Sequence, residues 1–201
     1  MEHKLASCKA RSMFDVSRWD ELDKALAVAP RVGHACVAGV GDGGLIGYIG
    51  ICRPAMQVTG FCRFEDGCTL PGPYDDPSHL HEGSLASRPL TEIRGWLQGI
   101  GVHNCTLIRG NVLKTMRRFA IHHDGLTHDG LTVALAVVDL NLYEPTRHAL
   151  SILLPDLVPS GIVLVDDVAY PGGRTALDEC GRSWEHCCHM ARFVGPPEGD
   201  Q

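Results

Sequence analysis

What the sequence lacks narrows its function first. The 18 Lys and Arg residues form no run, and the net charge is −6, so nothing offers a nucleic-acid backbone a basic track. The longest apolar runs, around 133–138 and 161–165, fall far short of the roughly 20 residues a membrane-spanning helix needs. No apolar stretch of signal-peptide length follows Met1-Glu2-His3-Lys4, and a cytoplasmic protein with no membrane partner is the expectation. The nine cysteines, at 8, 36, 52, 62, 68, 105, 180, 187 and 188, contain no C-x-x-C pair. Without that spacing, and with an odd count, they read as reduced thiols rather than as a zinc cluster or a disulfide framework.

What is present is an ordinary globular balance, 44% hydrophobic and 21% charged, in a length that suits one domain over 1–201. A leading helical segment, about 12–30, has apolar residues at helical spacing and stops at Pro30. Strand-length apolar runs then alternate with helical stretches. Strands are expected at 34–40, 57–64, 105–110, 131–140 and 161–165, with a last short one at 191–194. Helices are expected at 45–51, 89–99, 112–121, 144–157 and 174–190. The run Leu131 to Leu140 is apolar on both faces, as a central parallel strand should be. Residues 66–89 are rich in Pro, Gly, Asp and His and read as an irregular, lid-like loop. The order implies right-handed crossovers: an α/β fold, doubly wound, with a mostly parallel sheet. Ligands in such sheets bind beyond the carboxyl ends of the strands.

Four of those strand ends carry chemistry. Gly39-Val40-Gly41-Asp42-Gly43-Gly44 follows the first strand, where glycines let backbone approach a cofactor. The string fits both G-x-G-x-G and the dinucleotide form G-x-G-x-x-G. The second strand should end on an acid for a ribose diol; Glu65 is the candidate. Asp139 and Asn141 close one central strand, and Asp166 and Asp167 close another. Carboxylates gathered at neighbouring strand ends repel one another unless a cation or a proton relieves them. Asp and Asn oxygens suit a hard ion such as magnesium, or one carboxylate can act as a base toward a hydroxyl. His122, His123 and His128 look like ligands, but they sit in a Gly-rich stretch that reads as a solvated loop.

The segments 134–150 and 157–167 together resemble the macrocin O-methyltransferase (TylF-type) family of S-adenosylmethionine (SAM)-dependent methyltransferases. The resemblance is carried by Asp139, Asn141, Tyr143 and Thr146, where the family has D-x-D-x-Y-x-x-T, and by a Gly-led strand ending in Asp166-Asp167. Pro171-Gly172-Gly173, Gly39-Val40 with Gly43-Gly44, Phe64-Glu65 with Leu70-Pro71, and Gly110 to Thr115 extend it over about 34–180. It implies a class I SAM-methyltransferase (Rossmann-like) fold, with SAM and Mg as cofactors and a hydroxyl of a small natural product, typically a sugar, as acceptor. It assigns Asp139, Asp166 and Asp167 to the metal and Gly39, Gly43 and Gly44 to SAM; on the residue reading Asp139 is the first candidate for a catalytic base. Gly41 and Glu65 join the SAM set on the residue reading.

The sequence departs from the family at Asn141, where the second Asp of D-x-D is usual, and at Val37 and Cys62, which stand where acids that contact SAM are usual. An alternative therefore stays open, a methyltransferase fold repurposed as an isomerase, epimerase, cyclase or non-catalytic partner. A nicotinamide-dependent oxidoreductase has only the glycine turn behind it, and none of the four tyrosines has a lysine four residues on. A homo-oligomer is compatible with all of this.

Overall fold

The chain was described with a computed structural model, which covers residues 1–126, 131–166 and 168–196, the side chains of 121–126 excepted. Seven strands are present: β1 (His34–Ala38), β2 (Gln57–Cys62), β3 (Cys105–Arg109), β4 (Val133–Val138), β5 (Leu157–Val165), β6 (Glu185–Cys187) and β7 (Met190–Val194). The helices are α1 (Glu2–Ala10), α2 (Val16–Val28), α3 (Gly44–Cys52), α4 (Leu90–Gly99), α5 (Val112–Leu126), α6 (Tyr143–Leu153) and α7 (Pro171–Asp178).

The strands form one sheet in the order β3-β2-β1-β4-β5-β7-β6. Neighbours from β3 through β5 run parallel, and β7 runs antiparallel to both β5 and β6. Chain order reverses between β1 and β4, which makes their carboxyl ends the switch point of a doubly wound sheet.

The period-2 rule divides the strands between two cores. On β1, Ala35 and Val37 face the layer built from α2, α3 and α4, where Trp19, Leu22, Ile46, Ile49, Ile93 and Leu97 are buried. Cys36 and Ala38 face the other layer, with Met116, Leu150, Leu153 and Leu177. Helix α2 presents Trp19, Leu22 and Leu26 at i, i+3 and i+7, an apolar stripe that can be buried on one side only.

Several expected elements differ from the structure. The 112–121 helix runs on to Leu126, so the backbone at His122 and His123 is helical where a loop was expected. The 144–157 helix ends at Leu153, and β5 begins at Leu157 rather than 161. Its register shifts between Leu157 and Ile162, with Ser160 at φ 59°; this irregularity breaks the alternation that marks a strand. The 174–190 helix is α7 alone, ending at Asp178. Gly181 turns the chain at φ 72°, and Glu185–Cys187 joins the sheet edge as β6. Helix α1 was not expected, because Cys8 is its one buried residue. It packs on α3, where Gly47 leaves room for the Cys8 thiol. Among the described residues no helix is long and apolar enough to cross a membrane.

Candidate functional site

The carboxyl ends of β1, β2, β3 and β4 enclose a cleft of about 370 Å³, within the range of roughly 300–1,000 Å³ usual for small-molecule sites. Its walls come from Ser12 and Met13 between α1 and α2, the glycine turn, Cys62 to Phe64, Ala86 and Ser87 of the long loop, Asn111, and Asp139 to Leu142.

The glycine turn connects β1 to α3. Gly39 has φ 92°, and a Cβ there would lie 1.8 Å from the carbonyl oxygen of Asp139. The residue must be glycine for β1 and β4 to close on each other at the switch point. Gly41, at φ 53°, has no atom within 4 Å of a Cβ position and lines the cleft, so this is where a ligand can meet bare backbone. Gly43 caps the first turn of α3 and Gly44 opens it, against the backbone of Cys8 and Arg11. Neither lines the cleft. Asp42 does; its carboxylate accepts from the Arg88 amide at 2.9 Å, and its carbonyl accepts from Arg11 Nε at 3.1 Å.

At the end of β2, the amide of Phe64 donates to Cys62 Sγ at 3.3 Å. Glu65 lies in the short 3-10 turn Phe64–Asp66 and is not part of the cleft wall. Its carboxylate meets Arg109 Nη1 at 2.7 Å, and Asp66 takes Nη2 of the same arginine at 3.1 Å. The polar side chains on the wall nearby include those of Asp42, Arg63, Thr69, Ser87 and Asn111.

At the ends of β4 and β5, the Asp139 amide donates to Ala38 O and the Asp166 amide to Val138 O, both at 2.8 Å. Val138 pairs with Val165, so Asp139 and Asp166 leave the sheet side by side. Asn141 turns the chain at φ 62°, a conformation asparagine tolerates, and its Nδ2 stands 3.4 Å from Asp139 Oδ1. Asp166 is buried, its side chain 6% exposed. It accepts from Arg18 Nε of α2 at 2.6 Å, a partner 148 positions away in sequence. Asp167 lies outside the described residues, as do the side chains of His122 and His123 and the whole of His128.

These donors bear on the metal expectation. Among the described residues no three His, Cys, Asp or Glu side chains gather as a set that could hold a metal ion. Asp139 has the Asn141 amide at 3.4 Å and Asp166 at the end of the next strand, and Asp166 already carries a guanidinium. Magnesium demands an octahedron of oxygens and gives up its water reluctantly, and a fixed positive charge at 2.6 Å opposes it. The described residues do not fit the ion.

The long loop 66–89 is pinned over this edge of the sheet by a residue the sequence reading missed. Asp75 accepts from the Tyr143 amide at 2.7 Å, capping the start of α6, and from the Gly72 amide at 2.8 Å. Tyr74 packs on Tyr143 with ring centroids 4.4 Å apart, and His79 meets Tyr170 edge-on at 6.3 Å. The Tyr143 hydroxyl donates to Glu179, and that hydrogen bond pushes its pKa up to about 12, which removes it as a base near neutrality. An aspartate inside a Pro/Gly/Asp-rich stretch is a capping signal, but its target in α6 is not adjacent in sequence.

No family model matches the chain, and no curated protein sequence matches it significantly. Solved structures do. CalS11, a calicheamicin methyltransferase, is 19% identical, with a TM-score of 0.67 over 96% of this chain and 80% of its own. Its apo form, described as a TDP-rhamnose 3'-O-methyltransferase, gives 21% and 0.60 over 96% and 81%. The O-methyltransferase NovP is 19% identical, with a TM-score of 0.75 over 92% of this chain and 82% of its own. A Streptococcus mutans protein solved in complex with SAH is 12% identical, with a TM-score of 0.60 over 90% and 99%. The chain therefore has the seven-stranded α/β fold of class I SAM methyltransferases.

Proposed function

We propose that this chain is a SAM-dependent O-methyltransferase that modifies a hydroxyl of a small natural product, with a sugar moiety as the acceptor. One observation carries the reading. The glycine turn and the acid-bearing strand end meet at a single switch-point cleft, Gly39 lying against the backbone of Asp139 itself. A cofactor on the turn and a hydroxyl at Asp139 would thus share one site. The folds of CalS11 and NovP, named as methyltransferases, support it, and the rhamnose acceptor in one description supports a sugar.

The cleft volume, the open backbone at Gly41 and the polar groups of Asp42, Ser87 and Asn111 fit a nucleoside-containing cofactor. SAM supplies an activated methyl group on a sulfonium. The protein aligns the acceptor oxygen for in-line attack, which positioning alone can accelerate strongly. With SAM bound, the Asp139 carboxylate would take the hydroxyl proton as the acceptor oxygen receives the methyl group. The family resemblance also implied magnesium. The described donors do not fit that ion, and no step here depends on it.

A second reading has an observation of its own. Val37 is fully buried in β1, and Cys62 stands at the end of β2; neither offers a carboxylate to a ribose or an amine. A fold kept for an isomerase, epimerase or cyclase, or for a non-catalytic partner, would show this. Calorimetry with SAM and with SAH separates the two. The methyltransferase reading expects saturable heat for both, whereas no heat at millimolar ligand would sink it.

A further inference from the structure

Carboxylates set side by side at neighbouring strand ends need a positive charge, and the chain carries one of its own. Burying a carboxylate costs several kcal/mol unless it is paired and hydrogen-bonded. Asp166 is buried, and Arg18 Nε reaches its Oδ1 at 2.6 Å, the short distance of a charge-assisted bond. The guanidinium is fixed from the far side as well: its Nη1 meets Asp15 Oδ2 at 3.1 Å. Asp15 is the cap of α2, its other oxygen accepting from the Arg18 amide at 3.0 Å. Helix α2 is in turn anchored by Trp19 and Leu22, both buried in the core. Arg18 is thus aimed at the strand ends before any ligand arrives.

We propose that Arg18 is the resident cation of the acid pair formed by Asp139 and Asp166, a positioning residue that takes the place a divalent ion would otherwise hold. The leading helix then has a function beyond packing. It delivers a guanidinium to the end of β5 and holds Asp166 in register beside the end of β4. A planar fork bound on two sides fixes geometry in a way that a point charge on a flexible stem does not. The catalytic consequence rests on the methyltransferase reading; the ion preference does not.

Manganese(II), whose unbound form is counted by electron paramagnetic resonance, provides the test. It is titrated at equimolar ratio into the wild type, Asp166→Asn, Arg18→Gln and Arg18→Gln/Asp166→Asn, and each protein is melted with and without the ion. The wild type is expected to leave the free-ion signal undiminished. Arg18→Gln is expected either to take up one ion that the double variant loses, or to melt lower than the wild type and regain stability when Asp166→Asn is added. Stoichiometric uptake by the wild type, removed by Asp166→Asn, overturns the proposal. So does an Arg18→Gln protein that takes up nothing and melts with the wild type, because the acids then needed no cation. Neither measurement uses SAM or an acceptor, so failure here leaves the methyltransferase reading standing, and failure of that reading leaves this result intact.

Discussion

The two halves of the cleft are built on different principles. The β1–β2 half is made of shape: a glycine turn with bare backbone at Gly41, a buried Val37, and a thiol at Cys62. Among the described residues its one acid on the wall, Asp42, is held by the Arg88 amide, and Glu65 faces away toward Arg109. The β4–β5 half is made of charge: Asp139 and Asn141 line it, and at the neighbouring strand end Asp166 meets the arginine that α2 sends across. A site that grips one ligand by fit and another by charge discriminates the first through backbone geometry and the second through ionisation. Substitutions should therefore fail in different ways on the two sides.

The largest effect is expected where the halves touch. Gly39→Ala puts a methyl group 1.8 Å from the Asp139 carbonyl at a φ of 92°. Backbone strain and overpacking together should cost about 3 kcal/mol or more. A thermal melt should show the loss directly, and SAH affinity should fall with it. A wild-type melting temperature would mean that β1 and β4 do not close as described.

On the charged side the effect should fall on rate alone. Asp139→Asn keeps the size of the side chain and its contact with Asn141 while removing the proton acceptor. Turnover should fall by about 10²–10⁴-fold, the usual worth of a positioned base, with SAH affinity unchanged by calorimetry. If affinity for SAH collapses as well, Asp139 belongs to the cofactor half and the division between shape and charge is wrong.

How much of this was legible in sequence follows the same division. The glycine turn, the apolar run of β4 and the acids at its end are local signals, since each is a short string whose period or residue type states its role. The doubly wound, mostly parallel class followed from alternation; the strand order and the switch point came only with the pairing of β1 to both β2 and β4. Arg18 was invisible because nothing local ties it to Asp166, 148 positions on. Asp75 was hidden in a loop whose irregularity masked a cap for a distant helix. Strand β6 was read as helix because Glu185–Cys187 has no apolar alternation; it exists only through its pairing with β7.

Asp75→Ala tests whether the loop over the site is part of the charged half. The substitution removes the acceptor at the first turn of α6 and the bond to Gly72. Loss of a helix cap costs about 0.5–2 kcal/mol, which a denaturant melt can resolve. The loop that carries Tyr74 over Tyr143 should loosen, so KM for the acceptor should rise several-fold while SAH affinity stays put. An equal loss on both ligands would mean the loop roofs the whole cleft.

The smallest effect is expected at Glu65. Its carboxylate is about a third exposed and pairs with an arginine that Asp66 also holds. Pairs this exposed are worth roughly 0–1 kcal/mol, and Arg109 keeps a partner when Glu65→Gln is made. Stability should be unchanged, and SAH affinity should stay within about twofold, well inside the 1.4 kcal/mol of a tenfold change. A tenfold loss of SAH affinity would show that Glu65 leaves Arg109 and turns into the cleft when the cofactor binds. The β1–β2 half would then grip its ligand with a second carboxylate besides Asp42, supplied three positions later than at Cys62, and the contrast between the two halves would weaken.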